Sequence, residues 1–502
     1  MDRWRDGEFN VGWVAEGFLW LGSDRRDRVV ADGWGSVVAT FELRLPMPDL
    51  RSGAPIGSKP RHTIVMAKDS SLLDRLRRIL GDKAEPVDPP PPPTPSTDVN
   101  PARHAVLLVR GALPIPDGDP TRSYIGGLPR LPAHFEWPTE TPFDEPRALT
   151  FVAQIDLSEL PSFPERELLP AAGTLYFFAS SEFDGGDDPP GHVLYFDGDA
   201  TTLPFAVPPD NLMLLAGNLY YYSRFWLDEE HDPHAKIEFR YPLSFVVSES
   251  YPEDEIGKQL DAWQTALGAS SNHDLSARYR LISPEDPAWP FNWACVEHVA
   301  AAARCKIERE PDSLKALSAE EAARVSTVVS EATEWVTRRR ARDAFAAPSS
   351  AEAQEFRAWW QAQRATLRTI SRQYKLHHFD SERAFRAGVD HAVRLSCAAG
   401  DAARGLIPAH YLECVQTETL WQRSTMPGDR SVNMPMHQMF GYGERVQNAA
   451  ADHADDVLLL QIKGDPGLAW NENTGCALQL WIGRDALQRL QLDEVVTTVE
   501  CD

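Results

Sequence analysis

An apolar strand that closes on Gln-Ile occurs twice in this chain, and it restricts the fold more than any other feature. Residues 149–157 read LTFVAQIDL and residues 457–463 read VLLLQIK. Each has the length and apolar content of a buried strand. Upstream of each sits a glycine turn, Gly126-Gly127 in the first and Gly441-Tyr442-Gly443 in the second. Downstream of each a glycine, Gly173 or Gly475, opens another apolar strand. The spacings differ but the order is the same, which predicts an internal duplication into two β-rich half-units.

The stretch between them has another texture. From 105 to 250 short apolar runs alternate with Gly, Pro and Asp clusters, as strands and turns do. From 255 to 415 the period becomes helical. Ser318 with Glu321 and Ser349 with Glu352 have the spacing of capping boxes, each opening an amphipathic helix. One helix carries Val325, Val328, Ala332 and Trp335 on a face, the other Phe356, Trp360, Leu367, Ile370 and Tyr374; such stripes read as helix packing. Strand texture returns from 430 to 495. The expected fold class is therefore α+β: a β-rich duplicated domain over 105–502, with halves at 105–250 and 430–495 and a helical insertion at 255–415.

Residues 1–85 read as a small mixed domain. It has strands at 18–21, 37–45 and 63–66, and a helix over 70–80 that Gly81 stops. Residues 86–104 form a linker, because Pro89 to Pro93 are five consecutive prolines that fix φ and donate no sheet hydrogen bonds.

Lys and Arg number 50 against 74 Asp and Glu, a net charge of −24. Such a field repels nucleic acid and anionic lipid and favours a basic protein partner. The first residues are charged and lead into no apolar signal region, and no run of eighteen apolar residues follows, so the expectation is a cytoplasmic protein without a membrane span. The six cysteines show no CxxC spacing and read as reduced thiols; neither a metal nor a cofactor is expected.

The candidate binding residues cluster on the repeated motif. Gln154 and Gln461 are amides ending apolar strands, where an unsatisfied side chain costs about 1–3 kcal/mol. Each must bond to backbone, to a partner side chain or to a ligand. Asp156, His437, Gln438 and Tyr442 stand beside them, and His437 offers an acid–base group that titrates near neutrality. Gly126, Gly127, Pro129 and Gly441 read as fold-defining turns, with Gly126-Gly127 also able to present N–H groups to an anion. Asp184-Gly185-Gly186-Asp187-Asp188, Asp197-Gly198-Asp199, the pair His231 and His234, and His377-His378 with Asp380 hold metal-ligand side chains without the spacing of a known site. The basic run Arg338–Arg342 closes an expected helix, where cations complement the dipole.

Several of these segments together resemble the YwqG-like family. The opening signature runs from Ser123-Tyr124-Ile125-Gly126-Gly127-Leu128-Pro129 through Glu136-Trp137-Pro138 to the strand at 151–157 and the stretch 168–178. The closing signature comprises Met436-His437-Gln438-Met439-Phe440-Gly441-Tyr442, Val446-Gln447 and the strand at 458–462. The likeness covers roughly 105–495; the helical middle is longer than the family pattern and the first 100 residues have no counterpart. The resemblance implies a largely bacterial, β-rich, internally duplicated fold and no specific activity. From the acidic charge taken together with this resemblance, the expected function is a non-enzymatic binding module, with neutralisation of a basic toxin in bacterial conflict as a setting. The alternative is an enzyme acting on a small molecule in a cleft between the halves, lined by Gln154, His437, Gln438 and Gln461.

Overall fold

The computed structural model describes residues 102–500 apart from 112, 142–144, 181–189, 214–235, 253–254, 268–281, 309–314, 316, 375–380, 417–421, 427–429, 435–436, 446–448, 464, 466–467 and 469–475. Before residue 67 it describes strands alone. The chain divides into two compact units, Met1–Val99 and Asn100–Asp502.

In the first unit β1 (Arg5–Asp6), β2 (Phe9–Val14) and β3 (Gly17–Leu21) form one antiparallel sheet, and β4 (Arg28–Ala31), β5 (Val37–Phe41) and β6 (His62–Met66) form another. The expected strands at 18–21, 37–45 and 63–66 fall on β3, β5 and β6. The expected helix over 70–80 and the proline spacer lie outside the described residues.

The second unit is mixed α+β and mostly β. Its strands are β7 (Arg103–Arg110), β8 (Tyr124–Ile125), β9 (Thr139–Glu140), β10 (Arg147–Ala148), β11 (Thr150–Asp156), β12 (Thr174–Ala179), β13 (Gly191–Phe196), β14 (Tyr241–Ser250), β15 (Gln422–Met426), β16 (Arg430–Met434), β17 (His437–Phe440), β18 (Val457–Lys463), β19 (Ala477–Ile482) and β20 (Val496–Glu500). Ten of them make one antiparallel sheet in the order β13-β12-β11-β8-β14-β7-β17-β18-β19-β20. The strand texture therefore extends slightly beyond the expected bounds, to Arg103 at one end and Glu500 at the other.

One face of this sheet carries a single apolar core drawn from strands on both sides of the central β14–β7 pair, including Ile125, Ile155, Phe177, Met439, Ile462 and Leu480. The sheet curls around it. A Cβ added to Gly191 on one edge strand would sit 2.8 Å from Thr497 Cγ2 on the other.

Both long apolar strands are bulged at matching places. The β11–β12 register shifts between Phe151 and Ala153, and the β18–β19 register between Leu458 and Leu460. The extra residue lets two successive side chains, Val152 with Ala153 and Leu459 with Leu460, face the core. It also changes the phase of the strand, so that Gln154 and Gln461 point to the outer face instead.

Between β14 and β15 lie α1 (Ile256–Leu267), α2 (Trp293–Glu308), α3 (Ala319–Arg340), α4 (Ser350–Tyr374) and α5 (Ser381–Ala399). Both capping boxes form. Ser318 Oγ accepts the Glu321 N–H while Glu321 accepts the Ser318 N–H, and Ser349 with Glu352 does the same. The expected stripe residues Val325, Val328, Ala332 and Trp335, and Phe356, Trp360 and Leu367, are buried. The side chains of Ile370 and Tyr374 lie outside the described residues. Trp289, Trp335, Phe356 and Trp360 fill one helical core. No helix among the described residues is long and apolar enough to cross a membrane.

Cys476 is disulfide-bonded, which corrects the reading of six free thiols.

Candidate functional site

The repeated glutamines sit in two sets of three side chains, each set on adjacent strands and aimed at the loop after a glycine turn. In the first, Gln154 lies opposite Tyr124 of β8 and Tyr176 of β12. Tyr124 donates to the Leu128 carbonyl at 2.8 Å, the Gln154 Oε1 accepts the Arg130 N–H at 3.0 Å, and Tyr176 donates to the Arg130 carbonyl at 2.7 Å.

In the second set, Gln461 lies opposite Gln438 of β17 and Gln479 of β19. Gln438 donates to the Tyr442 carbonyl at 2.7 Å, Gln461 Oε1 accepts the Glu444 N–H at 2.9 Å, and Gln479 donates to the Glu444 carbonyl at 2.8 Å. The three contacts are the same, although a Tyr-Gln-Tyr set makes one trio and a Gln-Gln-Gln set the other. The remaining capacity is spent locally. Gln154 Nε2 donates to the Arg122 carbonyl at 2.9 Å, and Gln479 Nε2 also donates to Gln461 Oε1 at 3.0 Å. Burial raises the Tyr124 and Tyr176 hydroxyls well above the ordinary tyrosine value, so both stay protonated donors.

The glycine turns match as well. Gly126 and Gly127 have φ of 72° and 74°, and Phe440 and Gly441 have 59° and 75°. Gly126 is required by space, since a Cβ there would come within 2.1 Å of the Phe239 carbonyl oxygen. The N–H groups of this turn are already used: Gly126 donates to the Val152 carbonyl at 2.9 Å and Gly127 to the Glu238 carbonyl at 3.1 Å. The turn is a structural corner and offers no open anion cradle through these two amides. Pro129 stiffens the exit, and its carbonyl accepts the Ala206 N–H at 2.8 Å.

Asp156 caps a short helical turn, with Oδ1 accepting the Ser158 N–H at 2.8 Å, and its Oδ2 lies 3.2 Å from Arg122. Its own N–H donates to Ser123 Oγ at 2.9 Å. His437 takes the corresponding role in the second half, where its Nδ1 accepts the Lys463 N–H at 3.4 Å. That bond places the ring proton on Nε2, which lies 3.1 Å from Asp465 Oδ2. Arg110 Nε stands 2.7 Å from the same carboxylate oxygen, and all three side chains are buried. Arg110 lies over the Tyr241 ring at 4.3 Å, the Tyr241 hydroxyl accepts from Arg394 at 2.7 Å, and Arg394 pairs with Asp390 at 2.8 Å. A buried polar chain thus runs from β17 through β7 and β14 to α5. Tyr442 is held at the rim, where its N–H donates to Ser250 Oγ at 2.9 Å and Arg103 lies 4.5 Å over its ring.

Four strands separate β11 from β18, so the structure does not bring Gln154 together with His437, Gln438 and Gln461. Sequence reasoning missed Tyr124, Tyr176, Gln479, Arg110 and Asp465. Gln479 carried a signal, as a lone amide within the apolar run at 477–482. Arg110 and Asp465 carried none.

Among the described residues no group of three or more His, Cys, Asp or Glu side chains could hold a metal ion. Asp199 caps a short helical turn through the Thr201 N–H at 2.9 Å. Asp184, Asp187, Asp188, His231, His234, His377, His378 and Asp380 lie outside the described residues. The basic run is paired: Arg338 with Glu355 at 2.7 Å, Arg339 with Glu297 at 2.6 Å and Arg342 with Glu352 at 2.9 Å. These arginines tie α3 to its neighbours.

A family model described as a domain of unknown function (DUF1963) matches residues 123–501. No curated protein matches the chain.

Proposed function

We propose, for a chain that belongs to the DUF1963 family of domains of unknown function, a non-enzymatic binding module of the YwqG-like type whose acidic second unit engages a basic protein partner in the cytoplasm. The observation that carries this reading is where the charge lies. Residues 1–99 hold 14 Lys and Arg against 15 Asp and Glu, and residues 100–502 hold 36 against 59. The net charge of −24 therefore falls almost wholly on the second unit, and within residues 181–235 it reaches eleven acidic side chains against Arg224 alone. A field concentrated in this way steers cationic partners and speeds their encounter.

The repeated motif supports the same reading. Its amides hold loops in place, so the motif acts as scaffold. We further infer that the halves arose by duplication, supported by the matched bulges, turns and three-contact sets. In bacterial conflict such a module would sequester a basic effector.

The test is a pull-down with the tagged full chain at low and high salt, read by mass spectrometry. Retention of proteins with isoelectric points above about 9 at low salt, and their release at high salt, is the expected result. A captured set that is neutral or acidic, or one that resists salt, overturns the proposal.

A further inference from the structure

The two glycine corners match in backbone but differ in what lies beneath them. A Cβ added to Gly127 would meet Arg240 Cβ at 2.8 Å, and one added to Gly441 would meet Ala105 Cβ at 2.9 Å. The loop residues that the glutamines hold differ too, since Gln154 takes the N–H of Arg130 and Gln461 that of Glu444. In the second half Glu444 is paired, with Lys463 Nζ at 2.6 Å. In the first half the matching positions carry two guanidiniums, and neither forms an ion pair with a carboxylate among the described residues.

Both guanidiniums stack on Phe205, Arg130 at 4.1 Å and Arg240 at 4.7 Å from the ring centre, and Arg240 also lies 5.3 Å over the Tyr124 ring. Arg240 is only 4 % exposed. Its Nη2 donates to the Pro116 carbonyl, whereas its Nε and Nη1 are buried with no hydrogen-bond partner among the described residues. Arg130 spends Nη1 on the Leu203 carbonyl at 2.6 Å, and its Nε is likewise buried and unbonded among the described residues. Asp117 and Asp119 act on Arg240 through space, and Asp119 is bonded to the Thr121 N–H at 2.9 Å. A buried cation with N–H groups left over is costly unless an anion completes it. The matched corner over Ala105 shows that the fold does not need one there.

We propose that Arg130, Arg240 and the ring of Phe205 form a binding site for a small organic anion, whose carboxylate or phosphoryl oxygens accept the leftover N–H groups of the two arginines. Arg130 and Phe205 are half-buried and give the ligand its approach, while the buried Arg240 and Tyr124 lie beneath. Stacked guanidiniums present their N–H groups in fixed directions, which suits oxyanions. The site does not depend on the basic partner proposed above.

The melting temperature of the full chain in sodium phosphate, sodium acetate and sodium chloride at matched ionic strength tests the site. Phosphate stands for a phosphoryl group, acetate for a carboxylate, and chloride for ionic strength alone. The melting temperature should climb with phosphate or acetate and stay level in chloride, as binding to the folded state requires. A climb with phosphate alone supports the site and makes its ligand a phosphate ester; a climb with acetate alone supports it and makes the ligand a carboxylic acid. In Arg240→Met and in Arg130→Gln the concentration needed for the climb should rise about tenfold or more, because each variant removes a charged donor. Arg130→Gln decides alone if Arg240→Met fails to fold. General stabilisation by the salt would survive in the variants, so an unchanged concentration dependence in either folded variant overturns the site. A wild type that melts at the same temperature in all three salts overturns it as well.

Discussion

The side chain of Gln154 accepts the backbone N–H of Arg130 at 3.0 Å, across a loop that the Gly126-Gly127 corner folds back over the strand. Gln461 accepts the Glu444 N–H at 2.9 Å in the same geometry. A glutamine at the end of an apolar strand is thus explained by a loop amide that lacks a strand partner, and both halves use the same device.

Gln154→Ala and Gln461→Ala should each destabilise the second unit by about 1–3 kcal/mol, because each leaves a loop N–H without its acceptor. Chemical denaturation measures the loss. Partner capture by the remaining folded protein should be unchanged. Full stability with abolished capture in both variants would instead make the amides ligand-binding groups.

The placement of these glutamines shows where sequence reading succeeds and where it stops. The apolar strands, the capping boxes at Ser318 and Ser349 and the buried stripes of α3 and α4 were legible, because each depends on local period and spacing. The bulges at Val152 and Leu459 were not, and they decide which face Gln154 and Gln461 occupy. A strand read as simple alternation gives the wrong phase after the extra residue. Arg110 and Asp465 lie 355 positions apart in the sequence, and only the pairing of β17 with both β7 and β18 brings them together.

Gly126→Ala should cost on the order of 2–4 kcal/mol, because it combines a φ of 72° with a Cβ placed 2.1 Å from the Phe239 carbonyl oxygen. Gly118→Ala is the control, since nothing lies within 4 Å of its added Cβ. Equal melting temperatures for the two variants would show that the corner tolerates rearrangement.

Native thiol labelling should separate the cysteines by burial. Burial pushes the Cys295 thiol up to about 12 and the Cys397 thiol to about 11, so neither supplies thiolate at neutral pH. Iodoacetamide should modify both only after denaturation. Rapid labelling of either in the folded protein would mean that the helical core opens readily.

Acid should weaken the helical insertion through Glu285. A hydrogen bond from Ser283, first, and then the Arg364 guanidinium hold its carboxyl down at about 2 against the ordinary 4.5. A depressed carboxyl stabilises the folded state above its unfolded value, and that contribution is lost as pH falls from about 4.5 toward 2. The melting-temperature difference between wild type and Glu285→Gln should therefore shrink over that window. A difference that persists at pH of about 2 would assign the effect to packing.

The buried Arg110–Asp465–His437 cluster gives the sharpest contrast between keeping and breaking a charge pair. Asp465 is fully buried and meets Arg110 at 2.7 Å and His437 Nε2 at 3.1 Å. Arg110→Met keeps most of the side-chain volume but removes the cation, so the carboxylate loses the guanidinium and keeps its contact with His437 Nε2. Losing one member of a buried pair costs about 3–5 kcal/mol, whereas replacing both with apolar groups of similar volume is often neutral. Arg110→Met should accordingly destabilise strongly, and the double variant Arg110→Met with Asp465→Leu should recover part of the loss. Because Arg110 also stacks on Tyr241 at 4.3 Å, whose hydroxyl accepts from Arg394 of α5, recovery should be incomplete. The double-mutant cycle in urea measures the coupling. Additive losses, with no recovery in the double variant, would show that Arg110 contributes through its stacking and that the ion pair carries no net stabilisation.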